Sequence, residues 1–341
     1  MPLKETDVEL PVLPTTVIGS YPRPRWLRHT IRLYRAGRVD EKALREAFDD
    51  AVYVVVKEQE NAGVDIPSDG EMRRDEMVEY FAERIKGFRF YGPVRVWGNN
   101  FFNKPAVVSK LSYEKPIVVE EFQYLRRVSS RRVVKVTITG PYTISDWSYN
   151  EYYSSKEELV FELAKIINNE IRELEKAGAL FVQVDEPALT THPDEMDWAV
   201  EAINEVTRGV NIKLGIHVCY SNYELLSKYF DKLNFSQFAL EFANRGFRDI
   251  ELLKKLGDKE IGFGVVDVHS RRIESPEEVA RAINKVFEYV RPEQVYINPD
   301  CGLKLLPREI ARAKLENMVK GVEIIRNQLR SRGLEKIIMR R

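Results

Sequence analysis

The 341-residue sequence has only two cysteines, Cys219 and Cys301, and four histidines. Two thiols so far apart exclude a disulfide-stapled secreted scaffold, which needs a dense, even set. An excess of either charge is also missing, because Lys plus Arg and Asp plus Glu both number 53. That balance leaves no electrostatic footprint for nucleic acid or an anionic membrane, and neither is expected as a partner. Long apolar runs are absent. A run such as residues 51–56, Ala-Val-Tyr-Val-Val-Val, falls far short of the roughly 20 residues that a spanning helix needs. The first residues, Met-Pro-Leu-Lys-Glu-Thr-Asp, carry no apolar stretch of the secretory kind, so the expected location is the cytosol. With 44% hydrophobic and 31% charged residues, the chain reads as one globular domain over residues 1–341.

What is present is a rhythm. Eight short Val- and Ile-rich runs end in polar residues, at about 13–20, 64–71, 133–141, 180–187, 212–219, 237–241, 261–267 and 294–301. Most are followed by helical periodicity. Near-continuous apolar strands with helices between them predict an α/β fold, a parallel sheet closed into a (β/α)8 TIM barrel. An open doubly wound sheet is the rival, but no Gly-x-Gly-x-x-Gly turn follows an early strand. Between about 87 and 122 the rhythm breaks into Gly, Pro, aromatics and alternating Val, which predicts a β-hairpin insertion after the second βα unit.

In such a barrel the functional groups sit at the C-terminal strand ends. Both cysteines and two of the four histidines fall there. His217 and Cys219 are two apart on a strand, so they point to one face. Glu241 ends the next run and Cys301 the last. An imidazole, two thiolates and a carboxylate form a borderline-soft set that suits tetrahedral zinc. Such a site fits thiol chemistry, because zinc ionises a bound thiol at neutral pH. Glu241, the hard ligand, is the one expected to move when a thiol arrives; the bland reading makes it a surface salt bridge.

Other strand ends could grip an amino acid. Glu71 and Asp185 suit an ammonium group, and Ser20 could donate to a carboxylate, with Gly19 permitting close backbone approach. The competing readings have Asp185 capping a helix and Glu71 pairing with Arg73 or Arg74. His269 is a candidate general acid or proton shuttle, or a hydrogen-bonded structural histidine. Trp147 could stack on a flat methyl donor, or sit in the core. His29 and His192 receive no role.

The segments Thr15-Thr-Val-Ile-Gly-Ser20, Asp69-Gly-Glu71, Asp185-Glu-Pro-Ala-Leu189, His217-Val-Cys-Tyr-Ser221, Gly264-Val-Val-Asp-Val-His-Ser270 and Asn298-Pro-Asp-Cys-Gly-Leu-Lys304 together resemble the cobalamin-independent methionine synthase family, in its catalytic C-terminal half. The resemblance runs from about residue 13 to 305. It implies a zinc-dependent barrel that methylates homocysteine to methionine, with zinc on His217, Cys219, Glu241 and Cys301. It also implies homocysteine contacts at Ile18, Gly19, Ser20, Glu71 and Asp185, proton donation by His269, and folate stacking on Trp147. Three departures stand out. The family's N-terminal barrel is not in this sequence. Phe101-Phe102 replaces an Arg-Cys pair, and Thr190-Thr191 stands where the family has Arg-Glu. The sequence thus resembles a short, single-barrel form, with a methyl-corrinoid, free or carried on a protein, expected as donor in place of a methyl folate. A related zinc barrel acting on another thiol, of the coenzyme M type, and a non-catalytic methyl-corrinoid-binding protein are the alternatives.

Overall fold

A computed structural model describes residues 8–97 and 100–339, without the side chains of 96, 97, 100 and 101. The terminal segments 1–7 and 340–341 and the Phe101 side chain therefore lie outside the described residues. In chain order the elements are β1 (Val8–Pro11), α1 (Arg25–Arg35), α2 (Glu41–Asn61), α3 (Met77–Ala82), β2 (Lys86–Trp97), β3 (Asn100–Ser112), α4 (Val119–Val128), β4 (Lys135–Thr139), α5 (Pro141–Asp146), β5 (Tyr149–Asn150), α6 (Lys156–Lys176), β6 (Phe181–Asp185), α7 (Met196–Glu205), β7 (Lys213–Val218), α8 (Tyr223–Leu226), β8 (Gln237–Leu240), β9 (Glu260–Val266), α9 (Pro276–Val286), β10 (Val295–Pro299), α10 (Arg308–Arg330) and β11 (Lys336–Met339).

Six of the eight expected runs form a parallel sheet in the order β10-β9-β8-β7-β6-β4. The first two runs complete the ring without becoming regular strands. Thr15 bridges Ile297 and Thr16 bridges Ile66, and the Lys135 amide donates to Pro67 O at 2.9 Å. Pro14 and Pro67 have no N–H to give a ladder. Side chains supply the missing links: Thr15 N donates to Asp65 Oδ2 at 2.8 Å and Thr16 Oγ1 to Ile66 O at 2.9 Å. The wall therefore closes as the (β/α)8 barrel expected from the rhythm.

The barrel interior departs from the apolar strands the sequence suggests. Lys135, Thr137, Thr139, Gln183, Asp185, Lys213, His217, Gln237, Glu260 and Asn298 are all buried. Alternate residues of each strand face the axis, and here that set is polar. Buried polar groups need partners, and Lys213 finds one in an ion pair with Glu260. The intervening residues, such as Val136, Ile138, Val182, Val184, Leu214 and Ile216, join the apolar core that also takes Leu163 and Ile167 of α6.

Apart from this sheet, β2 and β3 pair antiparallel from Lys86↔Ser112 to Trp97↔Asn100, and β5 joins β3 in parallel. The irregular stretch read at 87–122 thus holds two strands as far as Ser112, and its last residues already begin α4. Outside the barrel ring, β1 and β11 pair antiparallel and bring the two ends of the described chain together.

Candidate active site

Two strand ends bring the cysteines and one histidine to a point. His217 lies near the end of β7, Cys219 just beyond it, and Cys301 two residues past β10. Their ligand atoms, Nδ1 or Nε2 and the two Sγ, all lie within 4.8 Å of one another. The His217 Nδ1 lies 2.9 Å from the Ala239 carbonyl, which can only accept, so Nδ1 carries a proton and Nε2 faces Cys301 Sγ at 3.6 Å. This is the outer-shell arrangement that orients a metal-binding imidazole. A hydrogen bond with Cys219 holds the Cys301 thiol well below its ordinary range, against burial, and pushes Cys219 well above its own. Burial would lower His217, but its hydrogen bond to Cys301 and the charge there raise it to about 9. The cluster is a largely buried set of one imidazole and two sulfurs, with Cys301 its partly exposed member.

Glu241, one residue beyond β8, adds the observation that tests a metal. Its Oε2 accepts from Tyr220 N at 2.8 Å. Its Oε1 is buried with no hydrogen-bond partner among the described residues, 3.6 Å from His269 Nε2. A buried orphan carboxylate oxygen costs free energy unless a group absent from the protein satisfies it. Burial accordingly raises the Glu241 carboxyl above its usual range. Glu241 does not join the 4.8 Å group of the other three, so its oxygen sits at the margin of that cluster. The donor set of one nitrogen, two sulfurs and one oxygen fits zinc.

The loop after β8 is fixed from two sides. The buried carboxylate of Asp300 accepts from the amides of Phe242, Ala243 and Asn244 at 2.9, 2.9 and 2.6 Å. The Tyr223 hydroxyl accepts from Glu241 N at 2.8 Å and donates to Val218 O at 2.9 Å. Sequence reading gave neither residue a role. Asp300 belongs to the segment Asn298-Pro-Asp-Cys-Gly-Leu-Lys304, but its service to a distant loop is a tertiary fact.

Beside the thiols, Glu71 and Asp185 face the same mouth. Glu71 has a φ of 55°, in the left-handed region, and its Oε1 accepts from Thr137 Oγ1 at 2.9 Å. It does not pair with its neighbours: Arg73 pairs with Asp49, and Arg74 lies against Glu121. Asp185 accepts from Gln183 Nε2 at 2.7 Å instead of capping a helix. The cap at α5 comes from Glu186, which accepts from Tyr142 N and from Thr143 N and Oγ1. Burial pushes Asp185 up to about 7, His217 opposes that, and Glu71 adds to it. Residues 18–20 close this side. A side chain on Gly19 would overlap Glu71 Oε1, and one on Gly302 would overlap Ser20 Oγ. Leu303 N donates to Ser20 O at 2.8 Å, and Ile18 O accepts from Gln183 Nε2 at 2.9 Å. Ile18, Gly19 and Ser20 thus run between the two carboxylates and the Cys301 loop.

His269 and Trp147 lie further out. The His269 side chain is about a third exposed, with Nδ1 3.2 Å from the Tyr220 hydroxyl and Nε2 toward Glu241. Trp147 is half-buried at the C-terminal end of α5 and packs on the core. Sequence reading missed Gln183 and Lys135, which lie beneath Asp185. A signal was available, since Lys135, Thr137 and Thr139 share one face of an otherwise apolar strand.

The family described as "Cobalamin-independent synthase, Catalytic domain" matches residues 13–323, and the chain belongs to it. The methionine synthase of Thermococcus kodakarensis is 61% identical over 98% of this chain and 99% of its own length. That of Sulfurisphaera tokodaii is 58% identical over 95% and 96%. Among solved structures, a B12-independent methionine synthase from Shewanella sp. W3-18-1, in complex with selenomethionine, superposes with a TM-score of 0.85 at 30% identity, covering 94% of this chain and 99% of that one.

Proposed function

We propose that this protein is a methyltransferase that places a methyl group on the thiol of L-homocysteine to form L-methionine, with zinc held by His217, Cys219, Glu241 and Cys301. One observation carries the reading: a cysteine-rich cluster with an orphan carboxylate oxygen stands beside two carboxylates that form no ion pair among the described residues and suit an ammonium group. When bound, zinc would keep a thiol ionised, and hence nucleophilic, at neutral pH. Glu71 and Asp185 hold the substrate ammonium, and Ser20 with the backbone of Ile18 and Gly19 takes the carboxylate end. An amino acid fixed at that end presents its sulfur to the cluster, and positioning of this kind supplies much of the rate. The relatives support the reading, being methionine synthases, one of them solved with a product-like amino acid. A coenzyme M type of thiol would leave Glu71 and Asp185 without an ammonium group.

For the donor, the reading is a methyl-corrinoid, free or carried on a partner protein. It rests on residues where a folate would be gripped. Thr190 and Thr191 replace the Arg-Glu of the folate-using pattern, and the buried Thr190 hydroxyl is engaged with Asn222 N at 3.2 Å. A methylcobalt centre leaves as reduced cobalt and needs no proton, whereas a methyl folate leaves as an amine that must be protonated. 5-Methyltetrahydrofolate is the second reading, favoured by Trp147. The test is a methionine-formation assay that compares methylcobalamin with mono- and polyglutamylated methyl folate. Faster turnover with methylcobalamin is expected; faster turnover with either folate overturns the donor assignment and leaves the homocysteine assignment standing.

A further inference from the structure

The barrel interior holds a buried cation that nothing above uses. Lys135 is 1% exposed, and its Nζ donates to Gln183 Oε1 at 2.6 Å. Lys213, which shares the Phe181 ring with Lys135 in the same barrel, is neutralised by Glu260. Lys135 forms no ion pair among the described residues. Its hydrogen bond goes to a neutral amide, and burial pulls its pKa down to about 7 against the opposing charges of Asp185 and Glu71. A lysine kept only to fill space would be costly in this position, since an apolar side chain of similar volume avoids the desolvation.

The amide explains why a cation stands there. Gln183 is fully buried, and its Nε2 donates both to Asp185 Oδ1 and to Ile18 O, at 2.7 and 2.9 Å. Flipped, the amide would set its NH2 against the Lys135 ammonium and its oxygen against two further oxygens. Lys135 therefore fixes which way Gln183 points. Gln183 in turn engages Asp185 Oδ1 and tethers Ile18, and Asp185 Oδ2 is left without a hydrogen bond among the described residues. We propose that Lys135 is a positioning residue which, through the Gln183 amide, aims the free oxygen of Asp185 at the substrate's α-ammonium group and so selects thiols that carry one. The proposal rests on the amino-acid thiol reading above.

The test is binding, which needs no methyl donor. The zinc-loaded full chain is titrated by calorimetry with L-homocysteine and with 4-mercaptobutanoate, which lacks the amino group, and thermal midpoints are recorded alongside. Wild type should prefer homocysteine. Lys135→Met should weaken homocysteine by about 10- to 100-fold, the worth of a misaligned charge-assisted contact, and leave 4-mercaptobutanoate within about two-fold. Its thermal midpoint should not fall. Gln183→Met removes the same relay from its other end and should show the same selective loss, so failure of one variant to fold does not remove the test. Retention of the homocysteine preference by both variants overturns the inference alone. Parallel loss of both thiols with a lowered midpoint also overturns it, in favour of a structural role. A wild type without preference overturns the amino-acid reading and this inference with it.

Discussion

Glu241→Gln is the sharpest probe of the metal site. The change keeps the side-chain volume. The amide oxygen can go on accepting from Tyr220 N, now at 2.8 Å, which turns an NH2 toward the place where Oε1 has no partner. If that place belongs to zinc, the variant loses one ionised ligand. An interaction with a charged partner is worth roughly 1.5–3 kcal/mol, and at about 1.4 kcal/mol per decade zinc should bind about 10- to 150-fold more weakly. The remaining ligands, His217, Cys219 and Cys301, still converge within 4.8 Å, so binding should weaken without vanishing. A chelator-competition titration measures this. A second reading separates a displaceable ligand from a permanent one. If Glu241 steps aside for the substrate thiol, homocysteine should bind the zinc-loaded variant at least as tightly as wild type, since nothing has to be displaced. Zinc affinity equal to that of wild type would refute the reasoning, and Glu241 would then be a buried carboxylate held for His269 and Tyr220 alone.

Four further outcomes are expected. Cys219→Ser and Cys301→Ser should each abolish the roughly one zinc per chain expected of a four-ligand site, and full occupancy by elemental analysis in both would remove the site. Asp185→Asn and Glu71→Gln should each raise the homocysteine requirement by about 1.5–3 kcal/mol with zinc still bound, and an unchanged affinity in the double variant would contradict their role. His269→Asn should cost on the order of 10²–10⁴ in rate with methyl folate but far less with methylcobalamin, because only the folate amine needs a general acid; equal losses with both donors would count against that role. Glu186, fully buried, titrates near 7 because of burial, against an ordinary value of 4.5. The unfolded chain gives up that proton first, so from pH 4.5 to 7 each unit should cost the folded state up to about 1.4 kcal/mol. Glu186→Gln should flatten this fall in the thermal midpoint, and a slope identical to that of wild type would show that the carboxyl is not the titrating group.

Much of this protein is legible in its sequence. Alternation of apolar runs with helical periodicity gives a closed parallel barrel, since each run can bury its faces only between helices and neighbouring strands. Strand-end chemistry also reads directly. His217 and Cys219 share a face because strand side chains repeat every two residues, and in a barrel strand ends meet at one mouth. That put Glu241, Cys301, Glu71 and Asp185 in one neighbourhood before any distance was known. The closure at residues 15–16 and 66–67 was not legible as such. There Pro14 and Pro67 remove ladder donors, and side chains of Thr15, Thr16 and Asp65 take over, a substitution that requires partners 50 residues apart. The polar interior was hidden for a related reason. Lys135, Gln183 and Lys213 look anomalous in buried strands until the axial neighbours that satisfy them are known. The same holds for Asp300 and Tyr223, which secure the Glu241 loop across the barrel mouth. Periodicity reports which face a side chain takes, because that depends only on local backbone geometry. Which buried donor meets which acceptor depends on strands brought together by closure, and only the tertiary structure decides it.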